Sequence, residues 1–150
     1  MGSSLVKIDV HVVFHVKRRR VVTRNEDLPR IFQYFGGIIR SIDAIPIEVG
    51  GICNHIHILA SLPKSMSASN FVRTIKAYSS KWIKTIDDYY ETFAWQDGYG
   101  AFSVSPTLLD TTARYIQNQK QHHEKRSFED EYKLFLEKHS IPYNEKYVFD

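Results

Sequence analysis

The spacing of hydrophobic and polar residues changes along the chain, and it predicts four strands separated by helices. Leu5 to Val16 (LVKIDVHVVFHV) is rich in β-branched residues and predicts a long central strand. Two shorter segments, IPIEVGGICN and HIHILASL, predict strands joined tightly near Gly50 and Gly51. A fourth segment, FAWQDGYGAFSVS, is strand-like but interrupted at DGYG, which indicates a bend or a hairpin turn.

Four other segments place apolar residues at helical spacing. The first, NEDLPRIFQYFGGIIRSID, has Asn25 as its predicted N-cap. The second, SMSASNFVRTIKAYSSKWIKTI, has an apolar face and a basic face. These faces consist of Phe71, Ile75, Tyr78, Trp82 and Ile86, and of Arg73, Lys76, Lys81 and Lys84. The third, SPTLLDTTARYIQNQKQHHEK, begins near Ser105, and the fourth, SFEDEYKLFLEKH, has Ser127 as its predicted N-cap.

The order β-α-β-β-α-β followed by helices is typical of the ferredoxin-like split βαβ fold. We therefore predict an α+β sandwich with one antiparallel sheet and helices packed on it. The extra C-terminal helices are an addition to this pattern. Since the sequence contains no repeat and no Pro/Gly-rich linker, residues 1–150 are predicted to form one domain. Residues 1–4 are expected to be disordered or to be a remnant of cloning.

Composition narrows the class of protein. The chain is 43% hydrophobic, and none of its apolar runs approaches the roughly 18 residues that span a membrane. Its first residues lack the pattern of a signal peptide, so a cytoplasmic protein with no membrane partner is expected. The single cysteine, Cys53, excludes an intramolecular disulfide and a multi-cysteine zinc site.

Charge is distributed unevenly. Residues 1–86 carry 13 Lys and Arg against 5 Asp and Glu, a net charge of +8, whereas residues 87–150 carry 7 against 12, a net charge of −5. The basic residues are densest at Lys17, Arg18, Arg19 and Arg20. This pattern is compatible with a polyanionic partner such as a nucleic acid, and equally with a solvated basic loop.

Candidate chemistry begins at NHIHIL. In a strand, alternate residues face the same way, so His55 and His57 project together while Ile56 and Ile58 point into the opposite layer. Two imidazoles at this spacing can share one cation, but hydrogen-bonded strand histidines are also common. His11 and His15 share a face of the first strand, where a structural role is the ordinary interpretation.

A third ligand has to come from elsewhere in the chain. In YIQNQ, Tyr115 and Gln119 are four residues apart, one turn along the predicted third helix. Two imidazoles and one amide oxygen leave positions open for phosphate oxygens, which suits Mg²⁺ or Mn²⁺ rather than a closed zinc site. Tyr115 would then lie near the metal, although a packing role is the default for one of nine tyrosines.

These residues carry a family resemblance. The chain resembles the single-tyrosine HUH transposases of small bacterial insertion sequences, over nearly its whole length from His11 to Asp150. The matching blocks, in order, are HVVFHVKRRR, HIHIL, WQDGYGAFSVS, YIQNQKQHH and FEDEYKLFLEKHSIPYNEKYVFD. One departure is Asn54, where the family frequently has aspartate, and we do not expect it to abolish metal binding.

The resemblance implies that His55, His57 and Gln119 hold Mg²⁺ or Mn²⁺ and that Tyr115 is the nucleophile. Single-stranded DNA with hairpin ends would be cleaved through a 5′-phosphotyrosine intermediate and rejoined. The resemblance also implies a homodimer whose active sites combine histidines of one subunit with the tyrosine of the other. Apart from the resemblance, the basic residues Lys17 to Arg20, Arg73 and Lys76 are expected to contact phosphates. Tyr99 would stack on bases, although an ordinary packing role is an equal alternative.

Two alternatives remain open at this point. A ferredoxin-like protein could bind nucleic acid without catalysis, and a metal-dependent nuclease could use water as its nucleophile. A 2H-type phosphoesterase is set aside, because it needs two separated His-x-Ser/Thr motifs and the sequence shows only the HIH pair.

Overall fold

The computed structural model describes residues 2–150 and contains one four-stranded antiparallel sheet with the strand order β2-β3-β1-β4. The strands and helices follow one another as predicted, which confirms the α+β class and the split βαβ order. The elements are β1 (Asp9–His15), α1 (Leu28–Ser41), β2 (Ile45–Ile52), β3 (His55–Ser61), α2 (Ala68–Ile83), β4 (Gly100–Ser103), α3 (Leu109–Gln117), α4 (Gln119–His122) and α5 (Phe128–Lys138).

The sheet separates two cores because its strands alternate. Val12 and Phe14 of β1, with Ile58 of β3, pack against α1 and α2 in the larger core. Val13 points the other way, into a smaller core closed by α5. The members of that smaller core are Val13, Phe102, Phe128, Tyr132, Leu136 and Phe149. Both faces of β1 and β3 are therefore covered, so a polar side chain on either face is enclosed by protein.

Several boundaries differ from the predictions. β1 begins at Asp9 rather than Leu5, because its ladder partner β3 ends at Ser61, which pairs with Asp9. Residues 2–8 are exposed and lack helix or strand structure, and Met1, the first of the residues expected to be disordered, lies outside the described chain. On α2, Tyr78 was predicted on the apolar face but is 56% exposed.

Helix starts were predicted with mixed success. Asn25 does not cap α1, since residues Asn25–Asp27 form a 3₁₀ turn and the helix begins at Leu28. Ser127 does cap α5, where its hydroxyl accepts a hydrogen bond from the backbone of Asp130. The third predicted helix begins with a 3₁₀ turn at Pro106 and then breaks at Asn118 into α3 and α4.

The join between β2 and β3 lies at Cys53 and Asn54, not at the glycines. Gly50 and Gly51 are inside β2. At each position another part of the backbone lies so close that there is no room for a Cβ atom. A Cβ on Gly50 would lie 2.7 Å from the carbonyl oxygen of Ile116 in α3. Gly51 has a φ of +149°, and a Cβ there would lie 2.2 Å from the carbonyl oxygen of His55. Gly50 therefore allows α3 to pack directly on β2.

Candidate active site

Four histidines project from the face of the sheet that α5 covers. His11 and His15 lie on β1, and His55 and His57 lie opposite on β3, where the register pairs His15 with His55 and Val13 with His57. All four are buried, and His55 and His57 have no exposed surface. The predicted common orientation of His55 and His57 is present, and the side chains lie inside the protein rather than on its surface.

Glu131 of α5 closes the cluster. Its Oε1 lies 3.0 Å from Nε2 of His57 and 3.7 Å from Nε2 of His55. One ligand atom from each of these three residues lies within 4.8 Å of the others, a spacing at which one cation can contact all three. Two imidazoles and a carboxylate form a donor set that divalent metals accept.

Gln119 and His123 extend the cluster from α4 and the residue that follows it. Oε1 of Gln119 lies 2.8 Å from Nε2 of His55, and the Gln119 amide donates to Oε2 of Glu131 at 3.2 Å. Nε2 of His123 lies 3.0 Å from Oε1 of Gln119 and 3.3 Å from Oε1 of Glu131. The predicted ligand Gln119 is therefore in contact with one of the two predicted histidines and with Glu131.

Tyr115 reaches the same carboxylate from α3. Its hydroxyl donates a hydrogen bond to Oε2 of Glu131, and its ring centroid lies 5.9 Å from that of His57. Tyr115 is half-buried, and the ring of His122 stacks on it with a centroid distance of 4.6 Å. Because the helix breaks at Asn118, Tyr115 and Gln119 do not share one continuous helix face, yet both reach Glu131.

An open cavity of about 680 Å³ adjoins the Tyr115 hydroxyl. It is lined by Tyr115, Gln121, His122, Glu124, Lys125, Arg126 and Glu131. Lys125 and Arg126 are exposed there, so the cavity offers cationic groups next to the phenol. This combination suits a substrate that brings a negatively charged group to the tyrosine.

Burial sets the protonation states of the cluster. It lowers the pKa of His55 to about 3 and, together with the neighbouring His57, lowers the pKa of His11 well below its ordinary value. Burial alone would raise the pKa of Glu131, but the hydrogen bond and charge of His57 hold that pKa far below its usual range. Burial and then the Glu131 carboxylate raise the pKa of Tyr115 above its usual range. Without an added cation, the cluster thus contains a carboxylate and a protonated phenol.

Comparisons with known proteins identify the family. The family model described as "Transposase IS200 like" matches residues 4–119, which include His55, His57, Tyr115 and Gln119. The chain belongs to the IS200-like transposase family. This confirms the predicted resemblance, and it makes the protein a DNA-processing transposase. No curated protein sequence matches the chain.

Two solved structures share the transposase fold. One is a protein of Deinococcus radiodurans R1 described as a candidate transposase, with a TM-score of 0.61, 17% identity, and coverage of 79% of this chain and 95% of that one. The other is a REP-associated tyrosine transposase bound to a REP hairpin, with a TM-score of 0.59, 13% identity, and coverage of 82% and 73%. At these identities the likeness shows the fold alone.

The predicted DNA-contacting residues of the transposase lie in different surroundings. Arg18, Arg19 and Arg20 are exposed after β1, and Lys17 pairs with Asp97 at 3.3 Å. Arg73 and Tyr99 are also exposed. None of these placements tests contact with DNA, which stays a prediction. Among the described residues, no helix of the transposase has the length and apolar character that a membrane span requires.

Lys76 differs from the other predicted contacts. Its ammonium donates to the backbone carbonyls of Gln96 at 2.8 Å, Asp97 at 3.4 Å and Gly98 at 2.5 Å. An ammonium has three donors, and these acceptors occupy them. Lys76 therefore fixes the loop before β4 in the transposase, and the phosphate contact predicted for it stays a prediction.

Sequence reasoning missed Glu131 and His123 and treated His11 as structural. Glu131 lies in the acidic first turn of its helix, which by itself does not indicate a buried acid. A stronger signal was available, because Glu131 shares the apolar stripe of α5 with Phe128, Tyr132 and Phe135. A carboxylate among apolar residues at helical spacing indicates a buried acid that needs a partner.

We expect the transposase to lose stability as the pH falls below about 6.5. Between this ordinary histidine value and about 3, the unfolded chain protonates His55 and the folded chain does not. Glu131 acts in the same direction, because its depressed pKa contributes stability above its unfolded value of 4.5 that is lost on acidification. Urea unfolding across this range should show the decline. A His55→Gln variant should show a weaker decline, and an unchanged decline would place the acid sensitivity elsewhere.

Proposed function

We propose that this transposase cleaves and rejoins single-stranded DNA with Tyr115 as its nucleophile and a divalent cation held by His55, His57, Gln119 and Glu131. One observation supports this most directly. The Tyr115 hydroxyl is hydrogen-bonded to the same carboxylate that contacts His57. A nucleophile and a cation-binding group therefore meet at Glu131.

The donor set fits a cation shared with a substrate. Two imidazole nitrogens, a carboxylate and an amide oxygen leave room for phosphate oxygens, and this mixture suits Mn²⁺ as well as Mg²⁺. When bound, such an ion polarises the phosphate and offsets the negative charge that develops during attack. Burial keeps His55 uncharged at neutral pH, so its imidazole is ready to donate a lone pair to a cation.

Glu131 would prepare the Tyr115 hydroxyl for attack. An unperturbed phenol with a pKa near ~10 is a weak nucleophile at neutral pH, so it needs help to lose its proton. Oε2 of Glu131 already accepts the Tyr115 hydroxyl and would orient it, and the phenolic proton would pass to the departing 3′ oxygen as the attack proceeds. The phenolic oxygen then bonds to phosphorus, the bond from phosphorus to the 3′ oxygen breaks, and that oxygen leaves as a 3′-OH after taking up a proton. Attack by another 3′-OH reverses these steps and rejoins the strands.

We propose that the substrate is single-stranded DNA from the hairpin ends of an insertion sequence. The reaction would take place in a bacterial cytoplasm. Support comes from a fold neighbour that is bound to a REP hairpin. Lys125 and Arg126 line the cavity beside Tyr115 and could hold the phosphate next to the phenol. Tyr99 and Arg73 remain proposed contacts for the rest of the strand.

We propose a homodimer, since exchanging two DNA ends needs two nucleophiles and two-fold dimers are the commonest oligomers. The resemblance implied sites assembled in trans. Within a single chain, however, Tyr115, Gln119 and Glu131 already contact one another and the histidines. This geometry favours two sites that are each complete in cis, and assembly in trans stays a prediction from the resemblance.

The function is tested by incubating the wild-type protein with a labelled single-stranded hairpin oligonucleotide and Mg²⁺ or Mn²⁺. We expect a labelled protein band that resists denaturation and that a chelator prevents. Cleavage without such an adduct would favour a nuclease that uses water. Binding without cleavage would favour a catalytically silent relative.

The basic turn after β1 supplies a separate test of DNA binding. Arg19 has a φ of +65°, in the left-handed region that favours glycine or asparagine, and the amide of Arg20 closes the turn on the carbonyl of Lys17 at 3.2 Å. A cavity of about 170 Å³ adjoins this turn and includes His15 and Asn54 in its lining. The turn leaves Arg18, Arg19 and Arg20 exposed, where a phosphate can reach them.

We expect Arg19→Gly to raise the free energy of unfolding by up to about 1 kcal/mol and to weaken hairpin binding. The loss of one phosphate contact should also reduce the salt dependence, with a slope smaller by about 0.7. Asp43→Gly is the matched control, since Asp43 has a similar φ of +63° outside the basic turn. It should be stabilised without any change in binding. If both variants bind the hairpin equally well, Arg19 does not contact the DNA.

A further inference from the structure

The two histidines of β3 are held from behind by different partners. His55 directs Nε2 toward Gln119, His57 directs Nε2 toward Glu131, and each directs Nδ1 to a different partner. Nδ1 of His55 lies 2.7 Å from Oδ1 of Asn54. Nδ1 of His57 lies 2.7 Å from Nε2 of His11. Both rings are therefore fixed at their far nitrogen, with the near nitrogen free to face the centre of the cluster.

We propose that His11 and Asn54 are positioning residues that present Nε2 of His57 and of His55 to the cation, an inference that rests on the cation site proposed above. When Nε2 binds an ion, the one proton of a neutral imidazole sits on Nδ1 and needs an acceptor. In a buried cluster no solvent supplies that acceptor. Nε2 of His11 and Oδ1 of Asn54 lie where it is required.

The chemical types of the two partners suit this task. In the absence of a cation, Nε2 of His57 faces the ionised Glu131 and must donate, and in the neutral form of the ring Nδ1 then accepts from His11. With a cation bound, Nδ1 of His57 has to donate instead. An imidazole can follow this change by moving its own proton between its two nitrogens, with no change in the number of protons. The side-chain amide of Asn54 can make the same change toward His55 by rotating 180°, which exchanges its oxygen and its nitrogen.

The surroundings hold both partners in place. His11 is 3% exposed, and its ring packs against Phe135 and Phe102 with centroid distances of 5.1 Å and 6.3 Å. Asn54 lies in the turn before β3, and its backbone carbonyl accepts a hydrogen bond from the amide of Val16 at 2.8 Å. These contacts restrict the motion of His11 and Asn54, and hence the motion of the two rings that they contact.

The test measures Mn²⁺ affinity of the DNA-free protein by titration calorimetry. His11→Leu removes the acceptor and keeps an apolar side chain, and we expect Mn²⁺ to bind about 10 to 100 times more weakly. His11→Gln keeps an oxygen that can replace Nε2, and we expect its affinity to stay close to that of the wild type. Thermal unfolding and hairpin binding report whether each variant is folded.

Asn54 offers a second pair of variants at a less buried position. Asn54→Ala should weaken Mn²⁺ binding by a similar factor, whereas Asn54→Asp, with a stronger acceptor, should bind at least as tightly as the wild type. This pair decides the matter if His11→Leu does not fold.

The outcomes separate the two proposals. If the wild-type protein binds no Mn²⁺, the proposed cation site is wrong, and the positioning roles of His11 and Asn54 are wrong with it. The positioning roles alone would be overturned if the wild type binds Mn²⁺ and the two variants at each position bind it equally well. These pairs are Asn54→Ala with Asn54→Asp, and His11→Leu with His11→Gln.

Discussion

Tyr115→Phe is expected to abolish both strand cleavage and the covalent adduct while the chain remains folded and able to bind hairpins. The substitution removes only the hydroxyl, so no oxygen remains to attack phosphorus. The ring keeps its stack on His122 and its edge contact with Phe135 at 5.7 Å. Oε2 of Glu131 keeps the hydrogen bond from Gln119, so the cost in stability should be about 1 kcal/mol.

The measurement is denaturing electrophoresis of labelled hairpin after incubation with Mg²⁺ or Mn²⁺. Tyr147→Phe is a matched control, because Tyr147 is 57% exposed and lies outside the cluster. It should form the adduct at the wild-type level. Cleavage by Tyr115→Phe at the wild-type rate would exclude Tyr115 as the nucleophile and favour water.

Local patterns were sufficient to predict the fold. Alternation along HIHIL placed His55 and His57 on one face, and the same rule placed Ile56 and Ile58 in the core on the other. Strand and helix periods gave the β-α-β-β-α-β order, which has few compact arrangements. These signals are carried by residues that are close together in the sequence.

The remaining features depend on contacts between distant residues. Gly50 resembles a turn glycine, but it is required because the backbone of Ile116 packs against it. The helix breaks at Asn118 although the sequence there contains no glycine or proline from which a break could be predicted. Glu131 is one of three acids in the first turn of α5, and the helix macrodipole is enough to account for all three. The apolar stripe of α5 indicates that Glu131 is a buried acid, but only the packing of α5 against the sheet shows that its partners are His57 and Tyr115.

His57→Ala is expected to lose cation-dependent cleavage. The substitution removes one imidazole from the proposed ligand set, leaves Nε2 of His11 without its hydrogen-bond partner, and takes one of several partners from Glu131. Hairpin binding should persist, because contacts with phosphates supply most of that affinity. Activity of this variant in the presence of a chelator would show that His57 is structural.

Mixing His57→Ala with Tyr115→Phe decides how the site is assembled. If each chain builds its site in cis, every site in a heterodimer lacks one group, and we expect the mixture to stay inactive. The alternative is an exchange of α3 and α4 between two subunits, with the link that follows β4 acting as the hinge. Exchange would re-create the same contacts in trans, as domain swapping does. Half of the sites in such a heterodimer would then contain both groups, and half would contain neither. Recovered cleavage, with heterodimers verified by native mass, would overturn the cis arrangement and leave the roles of Tyr115 and His57 unchanged.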